Sequence, residues 1–316
     1  MKKIALIGEC MIELNGEPFG DMLQTFGGDS LNSAVYLSRA TGDDTQVHYV
    51  TAMGNDPLSE GIVQRWKLEG INTELVLRDE VRQPGLYLIQ LDEQGERTFL
   101  YWRNQSAARY MVQHPQFEQI ADKLQQMDMV YLSGISLAIL PDSDRQKLLK
   151  LLKSLSKKGV KIAFDSNFRP ALWPQKEEWA TVKRTYSELL SFCDIALLTF
   201  DDEQDIWGDN AIDDALTRLK ESGVSKVVLK LGSDGCLFRD FAEAENQMIT
   251  TIPVENVVDT TSAGDSFNAG FLSGYIRGIS PKECCIRGNQ LASAVIQHKG
   301  AIVPIAATET ITNTFK

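Results

Sequence analysis

Short apolar runs that alternate with amphipathic stretches constrain the fold of this chain most strongly. The runs are KKIALIG (2–8), QVHYVTAMG (46–54), MVYLSG (129–134), VKIAFDSN (160–167), CDIALLTF (193–200) and KVVLKLG (226–232). Between them, apolar residues recur at helical spacing over 58–70, 144–159 and 211–223, and each stretch closes at a glycine. Uninterrupted apolar runs are typical of strands buried on both faces. The sequence therefore predicts an α/β fold, a three-layer α/β/α arrangement around a mostly parallel central sheet.

One segment breaks this rhythm. PGLYLIQLDEQGERTFLYWR (84–103) contains two alternating runs joined by a polar turn with a glycine, which predicts a β-hairpin. Such an insertion forms either a lid or a plain extension of the main sheet. We favour the lid because Tyr87, Tyr101 and Arg103 would reach a ligand from it. We therefore expect one domain, 1–316, with a small β lid built mainly from about 73–110 and also from about 10–25.

The charge and composition exclude several classes of partner. A net charge of −11 argues against nonspecific binding to nucleic acid or to an anionic membrane, but not against a small anionic substrate. The N-terminal apolar stretch is too short for a signal peptide and is interrupted by Glu9 and Glu13. Five cysteines without a CxxC pair predict reduced core thiols, so we expect a cytoplasmic protein.

Several familiar site motifs are missing. The sequence has no GxxxxGK[ST], no GxGxxG after its first strand, no GxSxG and no HExxH. Its three histidines lack metal-ligand spacing. These observations disfavour P-loop, dinucleotide-binding, serine-hydrolase and zinc-dependent chemistry, and they leave any metal ligand unassigned.

The stretch VVDTTSAGDSF (257–267) predicts a site for negative charge. It leads into apolar residues at helical spacing, so Ser262, Ala263 and Gly264 lie at a helix N-terminus, where free N–H groups attract anions. Such a turn suits a phosphoryl group in transfer. Asp265, in the first turn, is either a base that accepts a proton from an attacking hydroxyl or only a helix cap. Spacing alone does not decide between the two.

Two motifs resemble the signatures of the PfkB (ribokinase-like) carbohydrate kinases. DTTSAGDSF is similar to the C-terminal signature DTTGAGD, and FGGDSLNSAVYLSR (26–39) is similar to the N-terminal one. The resemblance spans essentially the whole chain. It implies a ribokinase-like fold, ATP and Mg²⁺ as cofactors, and Asp265 as the general base. It also implies a homodimer formed through the lid, as in relatives.

The resemblance assigns further residues by matching positions. It implies that Ser262, Ala263 and Gly264 surround the γ-phosphate, and that sugar contacts come from Gly27, Gly28, Asp29 and Asn32. Nucleotide contacts are implied for Lys230, Gly232, Gly235 and Asn289. Asp259 and Thr261 match positions near a monovalent cation site of some members, which raises the question of K⁺.

The chain departs from the family pattern at two places. Ser262 replaces the usual glycine, which costs about 1 kcal/mol if the position needs a positive φ and little if it is an ordinary helical position. Where the family has an Asn-x-x-Glu motif that helps to place Mg²⁺, this chain has only the acidic run Asp201, Asp202 and Glu203. The resemblance does not say which of these acids serves.

The sugar is suggested by a third motif. FDSNFRP (164–170) resembles the Asp-x-Asn-x-Arg motif of the 2-keto-3-deoxygluconate kinases in this family, and YWR (101–103) is similar to the same branch. Arg169 offers a planar fork for a carboxylate, Arg103 adds a second, and Asn167 would face the phosphate side. This implies phosphorylation of the 6-hydroxyl of 2-dehydro-3-deoxy-D-gluconate. One alternative is that the two arginines pair with local acids or with phosphates. The others are a kinase of this family for another sugar (fructose, ribose or another sugar acid) and a non-catalytic sensor of a sugar or nucleotide.

Overall fold

The computed structural model describes residues 1–17, 19–91, 97–174 and 179–316. In these ranges the strands are β1 Lys2–Ile7, β2 Met11–Gly16, β3 Met22–Gly27, β4 Thr45–Gly54, β5 Val76–Asp79, β6 Gly85–Leu91, β7 Arg97–Trp102, β8 Met129–Ser133, β9 Lys161–Asp165, β10 Ile195–Thr199, β11 Lys226–Lys230, β12 Cys236–Asp240 and β13 Asn246–Ile249. The α-helices are α1 Asp29–Ala40, α2 Pro57–Leu68, α3 Phe117–Leu124, α4 Gly134–Ala138, α5 Asp142–Lys157, α6 Ala180–Leu190, α7 Phe200–Trp207, α8 Ile212–Ser222, α9 Ala263–Tyr275, α10 Pro281–Val295 and α11 Ile305–Phe315.

The described strands form a large sheet in the order β13-β12-β11-β10-β9-β8-β1-β4-β5. From β5 to β11 neighbouring strands are parallel, and β12 and β13 add an antiparallel edge. Side chains alternate between the two faces: Ile4 and Leu6 of β1 pack into one buried cluster, whereas Ala5 and Ile7 pack into another. The mostly parallel sheet that the apolar runs predicted is confirmed.

Helices cover both faces of this sheet. The face that carries Ile4 and Leu6 packs against α1, α2, α9, α10 and α11. The opposite face packs against α3, α4, α5, α6, α7 and α8. The predicted three-layer α/β/α architecture is therefore confirmed.

The predicted hairpin belongs to a second sheet. β6 and β7 pair antiparallel, with Leu86 opposite Trp102, and the described strands of this small sheet run in the order β3-β2-β6-β7. The hairpin therefore does not extend the large sheet; its polar turn, 92–96, lies outside the described residues. The strand Val76–Asp79 falls inside the range predicted for the lid, yet it pairs with β4 of the large sheet. The division into one domain with a lid remains a prediction.

The two sheets are joined closely. β1 of the large sheet continues into β2 of the small sheet through Gly8, Glu9 and Cys10 alone. The small sheet therefore starts at the carboxyl ends of the parallel strands, the edge of an open α/β sheet where ligands bind.

All five cysteines are buried free thiols, as predicted. Among the described residues, no helix is long and apolar enough to cross a lipid bilayer.

Candidate active site

The first turn of α9 presents Asp265 at the carboxyl edge of the large sheet. Asp265 is buried, and its Oδ2 accepts hydrogen bonds from Asn32 Nδ2 of α1 at 2.8 Å and from Ser262 Oγ at 3.0 Å. In the part of the chain that the structure describes, no hydrogen bond reaches Oδ1 of Asp265. One carboxylate oxygen is thus fixed by two donors, and the other is left for a ligand.

The electrostatic surroundings of Asp265 favour its protonated form. Burial, followed by the negative charge of Asp29, raises the pKa of Asp265 to about 7, against the lowering effects of Asn32 and Ser262. Burial also raises the pKa of Asp29, at the first position of α1. A carboxyl group with a pKa near neutrality can take up a proton and release it again, as a general base must.

The backbone of Ser262 shows whether position 262 needs a positive φ, which the sequence left open. Its φ of 66° and ψ of 14° lie in the left-handed region, and it is the residue immediately before α9. This is the costly case for a residue other than glycine, of order 1 kcal/mol. The N–H of Ala263 already donates to Thr260 O at 3.2 Å. The N–H groups of Gly264 and Asp265 follow in the first helical turn, where no intrahelical carbonyl reaches them.

A cleft of about 500 Å³ opens beside the start of α9. The predicted nucleotide residues Lys230, Gly232, Gly235 and Asn289 line this cleft together with Ala263 and Gly264. Gly235 turns the chain between β11 and β12 with a φ of +97°, and a Cβ there would lie 2.2 Å from Ile249 O. Only glycine therefore fits this turn. Asn289 Nδ2 lies 3.4 Å from both Ile249 O and Thr250 O, which joins α10 to the same wall.

Asn167 lies apart from this cleft. It follows β9 with a φ of 31°, and its Nδ2 donates to Asp29 Oδ2 at 3.0 Å. The side chain that was predicted to face the phosphates is thus tied to a residue predicted to bind the sugar.

Predicted sugar-binding residues meet between α1 and the small sheet. A Cβ at Gly27 would lie 3.1 Å from Tyr87 Oη and 3.7 Å from Asn32 Oδ1, so these three residues surround one small volume. Tyr87 donates to Glu13, and its ring centroid lies 6.0 Å from that of Tyr101. Gly28 and Asp29 continue the chain from this point into α1.

The two arginines differ in their surroundings. Arg103, at the end of β7, is buried and forms an ion pair with Glu9, whose other oxygen accepts from Ser106 Oγ. Arg169 is exposed, donates to Phe168 O at 2.9 Å and forms no ion pair with the described residues. Pairing with a local acid, an alternative left open from the sequence, therefore holds for Arg103, and among the described residues Arg169 has no such partner.

Sequence reasoning missed a buried polar network behind the cleft. Lys230 Nζ lies 3.1 Å from Asp165 Oδ1 and 3.3 Å from Asn268 Oδ1. Asn268 Nδ2 in turn donates to Asp165 Oδ2 at 2.8 Å and to Tyr131 Oη at 3.1 Å. Asp165 ends β9, so a lone acid at the end of an apolar run was the available signal. Glu9 follows the first apolar run in the same way, and its role was likewise not predicted.

The acidic run on α7 is divided by the structure. Asp201 is exposed, and Glu203 is buried against Arg218 at 2.6 Å. Asp202 Oδ2 accepts from Ser166 Oγ at 2.7 Å and from Phe168 N at 3.0 Å. Asp202 is therefore the acid of the three that is bonded to the loop after β9.

The chain is similar to known proteins over nearly its whole length. A sequence profile described as "pfkB family carbohydrate kinase" matches residues 1–308. The 2-dehydro-3-deoxygluconokinase of Haemophilus influenzae is 57% identical over 316 residues, 100% of both chains. That of Escherichia coli K12 is 46% identical over 96% of this chain and 97% of its own. The structure of aminoimidazole riboside kinase from Salmonella enterica, complexed with aminoimidazole riboside and an ATP analog, superposes with a TM-score of 0.80 at 20% identity over 99% of each chain, a likeness of fold alone. The chain belongs to the pfkB family of carbohydrate kinases.

Proposed function

We propose that this chain is an ATP-dependent kinase that phosphorylates the 6-hydroxyl of 2-dehydro-3-deoxy-D-gluconate. The observation that carries the proposal is the position of Asp265, which stands in the first turn of α9 between the cleft of about 500 Å³ and the residues of the small sheet. The choice of sugar is supported by relatives of 46% and 57% identity, which are named for this sugar acid.

The transfer follows from the groups around Asp265. The oxygen of the sugar hydroxyl attacks the γ-phosphorus of ATP, the bond from that phosphorus to the β–γ bridging oxygen breaks, and ADP leaves with that oxygen. Asp265 Oδ1, the oxygen with no described hydrogen bond, takes the hydroxyl proton. The N–H groups of Gly264 and Asp265 stabilise the charge on the phosphoryl oxygens.

The cleft suits the nucleotide. Ile252, Val257 and Ile296 give part of its lining an apolar character suited to a base, and Lys230 supplies a cation to the phosphate end. A Cβ at Gly264 would lie 3.7 Å from Lys230 Nζ, so the ammonium group stands beside the helix N-terminus. The ammonium group of Lys230, which also pairs with Asp165, and the helix N-terminus thus both stand where the phosphates would lie.

The residues present fit Mg²⁺ that arrives with ATP. Among the described residues, no group of three or more His, Cys, Asp or Glu side chains could hold a metal ion. Mg²⁺ usually keeps several waters and binds one or two carboxylates together with substrate phosphates, so a complete protein cage is not needed. Of the acidic run on α7, Asp202 is the residue that would help to hold it, since Glu203 is engaged by Arg218. Bound Mg²⁺ neutralises charge on the phosphates.

The charges near the small sheet favour an acid sugar. Glu9 already balances the charge of Arg103, whereas Arg169 is exposed and has no described ion pair. An anionic substrate would give Arg169 the partner that a neutral sugar cannot supply.

A K⁺ requirement is a separate question. K⁺ would bind near Asp259, which accepts hydrogen bonds from Thr261 N and from Gly300 N at 2.9 Å each.

A dimer through the small sheet is part of the proposal. Leu23, Leu100 and Trp102 of this sheet are exposed, and burying them would be favourable. Sedimentation of the protein as a dimer, and of Trp102→Glu as a monomer, would support this contact; a monomeric wild type would contradict it.

The test is ATP-dependent ADP release by the purified protein. The panel contains 2-dehydro-3-deoxy-D-gluconate, fructose, ribose and gluconate, with Mg²⁺ and with or without K⁺. We expect strong turnover on the keto-deoxy acid alone and a 6-phosphate product by NMR. Turnover on a neutral sugar would overturn the specificity but keep the kinase, and silence across the panel would overturn both.

The role of Asp265 has its own variant. Asp265→Asn should lower kcat by at least about 100-fold while ATP still binds, because the amide cannot take the proton. Asp205→Asn, which makes the same change on the exposed side of α7, should keep wild-type turnover. Wild-type turnover by Asp265→Asn would contradict the assignment of the base.

A further inference from the structure

The backbone at Ser262 is in an unusual conformation for its residue type. With φ at 66° it is one of four described residues other than glycine with a positive φ, beside Phe19, Asn167 and Trp179. The signature that the chain resembles has glycine at this position. A side chain kept where glycine would be unstrained indicates that the side chain has a use.

The hydroxyl of Ser262 has a defined contact. Ser262 Oγ donates to Asp265 Oδ2 at 3.0 Å, on the same oxygen that accepts from Asn32 at 2.8 Å. The Ser262 carbonyl is held as well, since it accepts from Ser266 N at 2.9 Å and from Ser266 Oγ at 2.7 Å. The left-handed turn is therefore fixed from the helix side, and it aims the hydroxyl at the carboxylate.

Two donors on one oxygen restrict the rotation of a carboxylate. Asn32 comes from α1 and Ser262 from the turn before α9, so they approach Oδ2 from two separate elements. With Oδ2 held from both elements, Oδ1 is the oxygen that can meet the substrate. Loss of either donor would leave Oδ2 held from one element only and would loosen the orientation of the carboxylate.

We propose that the Ser262 side chain is a positioning residue of the proposed phosphotransfer, which holds Asp265 Oδ2 so that Oδ1 is presented to the acceptor hydroxyl. This is distinct from the part that the N–H groups of Gly264 and Asp265 would play around the phosphate. It rests on the proposed function, because it concerns how the base of that reaction is aimed.

A second consequence concerns the protonation of Asp265. The Ser262 hydrogen bond lowers the pKa of Asp265 and so works against burial and Asp29, which raise it. The other titratable or charged groups that face Asp265 are Asp165 of β9, Tyr131 of β8, Tyr36 of α1 and, beside Gly264, Lys230 of β11. All of them remain in a Ser262 variant, so a change in the pH profile reports the lost hydroxyl.

Two variants separate the hydroxyl from the backbone. Ser262→Ala loses the hydroxyl but keeps a β-carbon in the left-handed region, whereas Ser262→Gly loses the hydroxyl and relieves the backbone. If the hydroxyl positions the base, both variants should lower kcat by about tenfold. In both, the acidic limb of the kcat profile should move about 0.5 to 1 pH unit upward, because the carboxylate has lost a donor. The KM for ATP should stay within about twofold.

The outcomes are distinguishable. A defect in Ser262→Ala that is absent from Ser262→Gly would assign the effect to backbone strain and overturn the inference. An unshifted acidic limb in both variants, with an active wild type, would also overturn it and leave the proposed function intact. An inactive wild type across the sugar panel would remove the proposed function and the inference together.

Discussion

The buried ion pair between Glu9 and Arg103 should dominate the stability of the junction between the two sheets. Only 1% of the Glu9 side chain and 9% of the Arg103 side chain are exposed. Replacing one partner by a neutral isostere leaves the other charge buried and unpaired, which costs about 3–5 kcal/mol. Glu9→Gln should therefore lower the free energy of unfolding by about that amount, a large fraction of the roughly 5–15 kcal/mol typical of a folded protein.

The assay is urea unfolding followed by tryptophan fluorescence and far-UV circular dichroism. Glu118→Gln is the matched control, since the Glu118–Lys147 pair is 2.7 Å long but 73% and 50% exposed. Exposed pairs contribute about 0–1 kcal/mol, so this control should unfold almost like the wild type.

A double variant tests the cause. Glu9→Gln combined with Arg103→Met removes both charges, and it should recover most of the lost stability. It should not recover turnover on the sugar acid if Arg103 also contacts the sugar, as the sequence predicted. If Glu9→Gln cost no more than Glu118→Gln, or if the double variant were less stable than the single one, the electrostatic reasoning would be refuted.

Three further predictions concern packing, the nucleotide and pH. A Cβ at Gly270 would lie 2.6 Å from Arg287 O, so Gly270→Ala should lower the free energy of unfolding in urea by about 1–3 kcal/mol. Gly61→Ala, on the open face of α2, should not lower it. Lys230→Gln removes the cation of the cleft and should raise the KM for ATP at least about tenfold; an unchanged KM would contradict the phosphate contact. The folded-state pKa of Asp265 is raised to about 7, so its contribution to stability is complete below the unfolded value of 3.8 and is lost as pH rises through about 7. Asp265→Asn should therefore gain stability relative to wild type at pH 8 but not at pH 3, which urea unfolding at the two pH values would check.

The sequence predicted the large sheet well because burial on both faces leaves a local signal. The run 2–8 became β1 over Lys2–Ile7, and the run 226–232 became β11 over Lys226–Lys230. Each signal is contained in a few consecutive residues, so no knowledge of distant partners was needed. The hairpin of 84–103 was predictable for the same reason.

Partners distant in sequence could not be predicted in this way. Glu9 and Arg103 are separated by 94 residues, and no local pattern states that they form a pair. The residues of Val76–Asp79 would suit a strand in either sheet. Its pairing with β4 in the large sheet depends on register and topology rather than on its own residues. Likewise, serine at position 262 is compatible with two backbone conformations, and the packing of the surrounding turn selected the left-handed one.

The hydrogen bond between Asn32 and Asp265 joins residues 233 positions apart. At a translation rate of roughly 5–20 residues per second, α1 leaves the ribosome about 10–50 s before α9 is complete. Throughout that interval the apolar side chains of α1 that pack against α9 in the finished protein lack this cover. Contacts of such long range also slow folding. The yield of active kinase in a cell should therefore depend on how the nascent chain is protected during synthesis, and no truncated chain that ends before residue 265 can assemble the site.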